Sequence, residues 1–456
     1  MKVMKRITRA TLTGGTCLLL ALVMASCDTT FENPNAASED QVVSTVDGLQ
    51  ALAIGMRRTH SISFLSPMIR SSALTTREFA VVVGFTNPQE IELGGSALPE
   101  ENGILTSIWS NAYRVMGMAQ QIIDNANVVN EPATRGAYLA TGYLFRAMAL
   151  GNLAQFYESL PITVDEAGEA EFRPRTEAVA EAVRLLTEGL AAVPATVPDV
   201  FKSDVLGSSD FDLRQCLNAH LARYQLVLGN TGAAITAANA VVGGGHANVR
   251  SAFMYDSGNS NENPLYIQTT LEPATYRPVD NFGFDPAQFV VNPADGRVAF
   301  YLEPRDEIGE TSRIPVETMK GFFDVVDEPI PVFVPGEMYL TLAEAYARQG
   351  ELGNAVTNLD RVLTKTDDPF GINAGLPAYS GAVTQADVLL AIYRHRRIET
   401  FLGGTSLEDS RRFNRPAPPN LSPPDAYLSF ERNRNYYPYP RTERDNNPNT
   451  PANPAI

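Results

Sequence analysis

Apolar residues recur every three or four positions over several long stretches of the chain, a spacing that places them on one face of an α-helix. The pattern predicts helices over 104–129, 138–156, 176–193 and 213–228, with a further helix over 233–242. Regular strand-like alternation does not dominate any comparable stretch. The periodicity therefore predicts a mainly α protein, built as a scaffold of helices.

Two turns in the second half of the chain share one pattern. Gly229 and Gly350 each end an apolar helical stretch, and residues at the same three offsets follow them: Ala234, Ala238 and Val241 after the first, Ala355, Leu359 and Val362 after the second. The glycine suits the C-cap between two antiparallel helices, and small residues beyond it let the helices approach. The spacing resembles that of tetratricopeptide helix pairs. Because the two copies are far apart in sequence, we predict several pairs separated by large insertions, not a continuous tandem array.

One long segment, 243–335, interrupts the helical pattern. It holds ten prolines and many aromatic residues, and helices tolerate so many prolines badly. We predict long loops with a few short strands there, and a smaller helix-poor segment of the same kind at 61–99. Loops carried on a rigid helical frame are common places for binding surfaces.

The N-terminus has the features of an export signal. Residues 1–26 combine a basic start with an apolar run at 16–24, which is about half the ~20 residues that a membrane-spanning helix needs. The run 23–27 resembles a bacterial lipobox and makes Cys27 the lipidated first residue of the mature chain; an ordinary cleavage site with a chance cysteine is the alternative. We expect residues 27–40 to form a polar tether and 41–456 to form one helical domain.

The composition argues against nucleic-acid binding, and the sequence contains no common catalytic motif. The net charge is −16, and no dense Lys/Arg stripe offsets it, so nucleic-acid binding is not expected. Only four histidines occur, and the chain has no HExxH, CxxC, GxSxG, P-loop or GxGxxG pattern that opens a helix. No catalytic residue is therefore assigned, although a spatial carboxylate pair of the glycosidase kind has no sequence motif to exclude it.

No cofactor is expected either. The oxygen-rich run 256–263 could supply ligands to calcium, but it lacks EF-hand spacing, so a turn rich in asparagine is the preferred interpretation. Cys216 is expected to be a small buried residue of a helix, not a reactive thiol.

Blocks spread over nearly the whole chain resemble the SusD/RagB family of lipoproteins. The closing run 436–449 (YYPYPRTERDNNPN) is similar to that family's "YPIPxxExxxNP" signature, and 392–401 followed by 409–413 is similar to its "RRxE…F…DLRRF" helix. Two further blocks, at 144–161 and 335–346, also match and fall in the family's order. At 403–406, however, Gly-Gly-Thr-Ser replaces the usual Glu-Gly-His-Arg. We therefore expect an internal ion pair to be missing and the chain to be a divergent member.

The resemblance implies a non-catalytic, surface-exposed nutrient-binding protein, attached to the outer membrane by its lipid. It would act as the lid of a SusC-like TonB-dependent transporter and capture oligosaccharides, peptides or related nutrients. A tetratricopeptide-like lipoprotein scaffold for outer-membrane assembly, without a small ligand, is the alternative.

The ligand class can be narrowed by the aromatic residues. The single tryptophan, Trp109, matches a packing position of the family's core helix, so a stacking platform must use Tyr or Phe. Candidates lie in the two helix-poor segments, with two arginines beside them as polar contacts: Arg77, Phe79, Phe85, Tyr276, Arg277, Phe282 and Phe284. Each of them could instead belong to the core. The scarcity of tryptophan makes a long glucan ligand less expected and leaves an oligosaccharide, a peptide or another nutrient open.

Overall fold

A computed structural model describes residues 43–163, 168–258, 260–416 and 431–455. The predicted signal peptide (1–26), the lipidation site Cys27 and the predicted tether (27–40) lie outside the described residues. The statements below concern the described ranges.

Long helices form the frame of the molecule, which confirms the predicted mainly α fold class. The helices, numbered in chain order, are α1 Val46–Arg58, α2 Leu65–Thr75, α3 Thr86–Leu93, α4 Gly103–Asn125, α5 Pro132–Leu153, α6 Arg175–Ala192, α7 Asp199–Phe201, α8 Leu213–Val227, α9 Thr231–Val242, α10 Tyr266–Thr269, α11 Gly296–Tyr301, α12 Pro335–Arg348, α13 Leu352–Leu363, α14 Gln385–Glu399, α15 Ser406–Arg412 and α16 Arg441–Asn446. π-helical turns at Thr59–Phe64 and Lys202–Leu206 extend the frame.

The helices predicted from periodicity are found within a few residues of their expected bounds. The largest difference is at α5, which begins at Pro132 and not at 138. Its first turn is polar, so the apolar period does not reveal it. Pro132 suits the first helical position because a proline has no N–H to satisfy there, and the Glu131 side chain accepts hydrogen bonds from the N–H groups of Ala133 and Thr134.

The helices stack in a continuous series, in which α4 packs on α5, α5 on α6, α6 on α8, α8 on α9, α9 on α12 and α12 on α13. The two repeated turns are C-caps with left-handed backbone, with φ of 78° at Gly229 and 80° at Gly350. All six residues at the shared offsets are buried. Because α9 packs directly on α12, the two helix pairs are neighbours in space, and the segment between them leaves the stack and returns to it.

That segment is helix-poor and holds five of the eight short strands found in the described ranges, all of which pair antiparallel. Chain order gives β1 Phe79–Val81, β2 Ser159–Pro161, β3 Phe172–Pro174, β4 Ala252–Phe253, β5 Tyr276–Pro278, β6 Leu302–Ile308, β7 Pro315–Met319 and β8 Ile330–Pro331. The pairs are β1 with β5, β2 with β3, β4 with β8 and β6 with β7. A bridge between Val279 and Val316 joins two of these pairs. A small core of Ala80, Val279, Ile314 and Val316 lies beneath that junction.

The other predicted loop segment, 61–99, is more helical than expected. The prediction is wrong for Leu65–Thr75 and Thr86–Leu93, which are helices α2 and α3. Helix α2 is buried over nearly its whole surface, so it has no polar face and shows no amphipathic period to read.

The last described segment, 431–455, returns to the N-terminal half of the fold. The Asn433 N–H donates to the carbonyl of Thr75 at 2.9 Å, and the Tyr437 hydroxyl lies 2.6 Å from that of Thr75. Further along, Arg444 donates to Glu100 at 2.9 Å. The two ends of the described chain therefore share one core.

Candidate ligand-binding face

Exposed apolar side chains are concentrated on the segments outside the helical stack. Of the ten large hydrophobic side chains that are exposed in the described ranges, Phe85 and six residues of 243–335 make up seven: Phe85, Met254, Ile267, Leu271, Val290, Ile308 and Val325. We use the name insertion face for these seven residues.

Phe85 is the one predicted ligand-contacting residue that is exposed. Its side chain is 56% exposed, and it caps the N-terminus of α3 with an extended backbone. The Gln89 N–H donates to the Phe85 carbonyl at 3.2 Å. The ring is therefore presented to solvent from a position that the helix fixes.

The other six predicted contact residues are buried, which corrects the sequence interpretation. Phe79, Tyr276, Phe282 and Phe284 are core residues, and so are the two arginines, Arg77 and Arg277. Phe79 stacks on Tyr276 with ring centroids 5.9 Å apart, across the paired strands β1 and β5. For these residues, the core alternative is correct.

A close backbone approach explains why Phe282 and Phe284 face inward. Between them, Gly283 has a φ of 70°, and a Cβ atom there would lie 1.9 Å from the Arg77 carbonyl oxygen. The Arg397 guanidinium of α14 donates to the Phe282 carbonyl at 2.8 Å and lies 5.1 Å from the centre of the Phe284 ring. This junction attaches the insertion to the helical stack, so its rings are used for packing.

Tyr266 and Phe289, which were not among the predicted contacts, keep part of their surface in solvent, as does Phe300 of α11. Tyr266 lies on the short helix α10, and Phe289 lies in the loop before α11; both are half-buried. The Arg394 guanidinium covers the Phe289 ring at 4.3 Å. Sequence gave no signal to distinguish these two rings from their buried neighbours, because all belong to the same proline-rich segment.

Arg277 does reach a charged cluster, although it is only 2% exposed. It pairs with Glu272 and lies 3.6 Å from Glu307, and Arg305 lies 3.4 Å from Glu272. The Ala274 N–H and the Arg277 guanidinium lower the pKa of Glu272. The exposed members, Glu272 and Arg305, are the ones that a ligand would meet.

The buried carboxylates of the helical stack are paired with arginines. Arg223 holds Glu337 through two hydrogen bonds of 2.8 Å, and Arg412 holds Glu344 at 2.8 and 2.9 Å. Although burial opposes ionisation, the arginines lower the pKa of Glu337 to about 2. A carboxyl with so low a pKa does not act as a general acid near neutral pH, so these groups tie helices together.

The asparagine-rich turn is closed by its own hydrogen bonds. The Asp256 carboxylate accepts from the Gly258 N–H at 3.0 Å and from the Asn261 amide at 2.9 Å. Asn263 is buried and donates to the carbonyls of Phe322 and Glu328 at 2.8 Å. Within the described ranges, no group of three or more His, Cys, Asp or Glu side chains is placed to hold a metal ion.

Trp109 and Cys216 lie where the sequence placed them. The indole of Trp109 is 4% exposed, packs against Tyr157 and donates to Glu443 at 3.0 Å. Cys216 is a free, fully buried thiol of α8.

Comparison with known proteins identifies the fold. No family model matches the chain. A curated relative, SusD-like protein P2 of Formosa agariphila, is 25% identical over 168 residues, which are 35% of this chain and 33% of that protein. The chain therefore matches about a third of the length of this relative.

Solved structures match over a far larger part of the chain. A SusD superfamily protein of Bacteroides thetaiotaomicron superposes with a TM-score of 0.67 at 16% identity, over 90% of this chain and 100% of that one. This chain has the fold of SusD superfamily proteins. A putative sugar binding protein of Bacteroides vulgatus gives 0.66 at 15% identity, over 90% and 98% of the chains. A SusD-like carbohydrate binding protein of the same species gives 0.63 at 18% identity, over 81% and 83%.

Hydroxyl groups occupy the region of Gly403–Ser406, where the sequence differs from the run found in the family that it resembles. Ser406 donates to the buried Glu78 carboxylate at 2.9 Å, and its oxygen lies 3.0 Å from that of Ser72 and 2.8 Å from that of Thr76. Burial raises the pKa of Glu78 to about 7, against the opposing effect of Arg397. A hydrogen-bonded cluster of three hydroxyl groups and one buried carboxyl therefore lies in this region.

Among the described helices of the chain, none combines the length and the apolar character required to cross a bilayer.

Proposed function

We propose that this protein is a non-catalytic binding protein for oligosaccharides or related nutrients. The observation that carries the proposal is the similarity of fold over 90% of the chain to a structure described as a putative sugar binding protein. The concentration of exposed apolar side chains on the insertion face supports it, because sugar rings present apolar C–H faces to aromatic and aliphatic side chains.

Phe85, Tyr266 and Phe289 are the rings we assign to ligand contact. Each keeps surface in solvent, and each belongs to a segment outside the helical stack. Glu272 and Arg305 supply charged groups on the same set of segments, and these can hydrogen-bond to sugar hydroxyls.

The proposal includes the position of the protein in the cell. Cys27 carries the lipid that attaches the chain to the outer membrane, and more than one acyl chain gives durable attachment. The protein then acts as the lid of a SusC-like TonB-dependent transporter. A detergent pull-down of the tagged, lipidated protein from native membranes tests this role. A stoichiometric TonB-dependent barrel supports the lid, whereas assembly factors in its place support a scaffold without a small ligand.

Ligand binding is tested by calorimetric titration with a panel of oligosaccharides and peptides. We expect Phe85→Ala to weaken binding at least about tenfold, a loss of about 1.4 kcal/mol, without lowering thermal stability. Val383→Ala is the matched control, because Val383 is also 56% exposed but lies outside the insertion face. Equal affinities for both variants and wild type would remove Phe85 from the site, and a panel without any binding ligand would contradict the proposed function.

A further inference from the structure

One lysine is enclosed together with two carboxylates, where the loop after α13 meets the end of α14. Lys365 and Asp368 belong to the loop, and Glu399 is the last residue of α14. All three side chains are 0% exposed. Charged side chains are seldom buried so completely, because each one loses the hydration of its charge. The cluster lies outside the insertion face, and the proposed function does not use it.

Lys365 contacts the two carboxylates in different ways. Its Nζ donates a hydrogen bond to Oε1 of Glu399. The same Nζ lies 2.6 Å from Oδ2 of Asp368, but this contact does not have the angles of a hydrogen bond, and Oδ2 accepts none from any described residue. A buried acceptor without a hydrogen bond costs about 1–3 kcal/mol. Lys365 and Asp368 are therefore in close contact without forming a hydrogen-bonded ion pair.

The contact brings a nitrogen close to a carboxyl carbon. The C–O bonds of a carboxyl group are about 1.2–1.3 Å long, which places Nζ at most about 3.9 Å from Cγ of Asp368. Reacting atoms in a near-attack arrangement are about 3–3.5 Å apart. Asp368 is held in this position, because its Oδ1 accepts from the Phe370 N–H at 2.8 Å and its own N–H donates to the Asn373 side chain at 2.8 Å.

Glu399 is placed to carry protons for a reaction at Nζ. Arg297 donates to Oε2 of Glu399 at 3.0 Å, and Asp295 fixes Arg297 with hydrogen bonds of 2.6 and 2.9 Å. Gly336 of α12 leaves the space that the carboxylate fills, because a Cβ atom there would overlap with Oε1. The Oε1 atom is therefore held against Nζ, within the hydrogen-bond reach that a general base requires.

We propose that Lys365 and Asp368 join in an intramolecular amide bond, and that Glu399 transfers the protons. The new bond forms between Nζ and Cγ, and the bond between Cγ and Oδ2 breaks. Glu399 takes two protons in turn from Nζ and passes them to Oδ2, which contacts the same Nζ and leaves as water. The amide nitrogen keeps one hydrogen, and one positive and one negative charge disappear together, so no co-reactant is needed. The exclusion of water from the cluster protects the amide from hydrolysis.

Peptide mapping of the purified full-length protein tests for this bond. Trypsin cleaves after lysine only when the side chain keeps its charge, and acylation of Nζ removes that charge. After denaturation and digestion, we expect most molecules to give one peptide, 362–394, that is uncut at Lys365 and lighter than its sequence by one water molecule. Fragmentation should place the missing water between Lys365 and Asp368.

Two results of this map would overturn the proposal. The first is cleavage at Lys365 in most molecules, with both products at full mass, which would show an ordinary buried ion pair. The second is cleavage at Lys365 with one product lighter by a water molecule, which would show a succinimide at an aspartate and a free lysine. The map of the wild-type chain therefore decides the question even if a variant fails to fold.

Variants separate the roles of the carboxylates. Asp368→Ala should restore cleavage at Lys365, whereas the matched control Asp367→Ala should leave the bond intact, because the Asp367 side chain is 79% exposed. Glu399→Gln keeps the size of the side chain and should lower the linked fraction of freshly expressed protein at least about tenfold, since it removes the proton carrier. Far-UV circular dichroism establishes that this variant is folded. A folded Glu399→Gln variant that is linked as completely as wild type would contradict the role of Glu399.

Discussion

Replacement of Glu78 by glutamine should stabilise the protein in a manner that depends strongly on pH. Glu78 is 1% exposed, and the Ser406 hydroxyl and the Leu402 N–H donate to its carboxylate, with Arg397 and Asp409 nearby. Glutamine keeps the size and hydrogen-bonding shape of the protonated acid. It therefore removes the cost of a buried negative charge without removing the side chain.

The magnitude follows from the shift in pKa. The carboxyl titrates near 4.5 in the unfolded chain and at about 7 in the folded protein. A raised folded pKa contributes stability that is present below the unfolded pKa and is lost as the pH rises to the folded pKa. The variant should therefore match wild type near pH 4, and exceed it by about 2 kcal/mol at pH 6 and by about 3 kcal/mol at pH 8.

Equilibrium unfolding in urea at pH 4, 6 and 8 measures this difference. Trp109 is the single tryptophan and is buried in the core, so its fluorescence reports unfolding directly. Glu188→Gln, at an exposed carboxylate of α6, is the control and should give parallel curves. If the Glu78 variant and wild type also remain parallel between pH 4 and pH 8, the carboxyl has an ordinary pKa in the folded state and the reasoning from burial is refuted.

Three further measurements test other parts of the structure. His60 is buried against three phenylalanines, and neither ring nitrogen has a hydrogen-bond partner among the described residues. Burial lowers the pKa of His60 to about 3. The stability advantage of His60→Leu over wild type in urea should therefore grow by about 3 kcal/mol as the pH falls from 7.5 to 4. Gly229→Ala and Gly350→Ala should each cost about 1–2 kcal/mol in thermal unfolding, since both glycines have left-handed backbone; unchanged melting temperatures would disprove the cap assignment. Trp109→Phe and Glu443→Ala, combined, should cost less than the sum of the single variants, because each of them removes the hydrogen bond between the two side chains.

The helical frame could be predicted because its signal is local. Residues such as Ile108, Val115 and Ile122 repeat at helical spacing on the buried side of α4, and the glycine caps mark where helices end. Helix α2 was missed because it is buried over nearly its whole surface, so its apolar residues do not alternate with polar ones at helical spacing. The contact between α9 and α12 was missed as well, because local spacing carries no information about which distant helices pack together.

The candidate site was much harder to predict. Aromatic residues in a proline-rich segment are expected both in a hydrophobic core and in a ligand-binding platform, and composition does not distinguish the two locations. Phe282 and Phe284 are buried because Gly283 brings the chain against the Arg77 carbonyl, a contact between positions far apart in sequence. Phe85 is the N-cap of a short helix, α3, in a segment that was predicted to be helix-poor, so its exposed position could not be predicted.

The return of residues 431–455 to the N-terminal half has a consequence for folding order. Thr75 and Glu100 obtain hydrogen-bond partners from Asn433, Tyr437 and Arg444, which are synthesised more than 300 residues later. Contacts of such long sequence separation form slowly, because closing the loop loses chain entropy before any contact compensates for it. The N-terminal helices therefore remain incompletely packed until the segment that begins at Asn433 has been synthesised. A chain truncated before Asn433 would keep an incompletely packed N-terminal half, which a protease would recognise as unfolded.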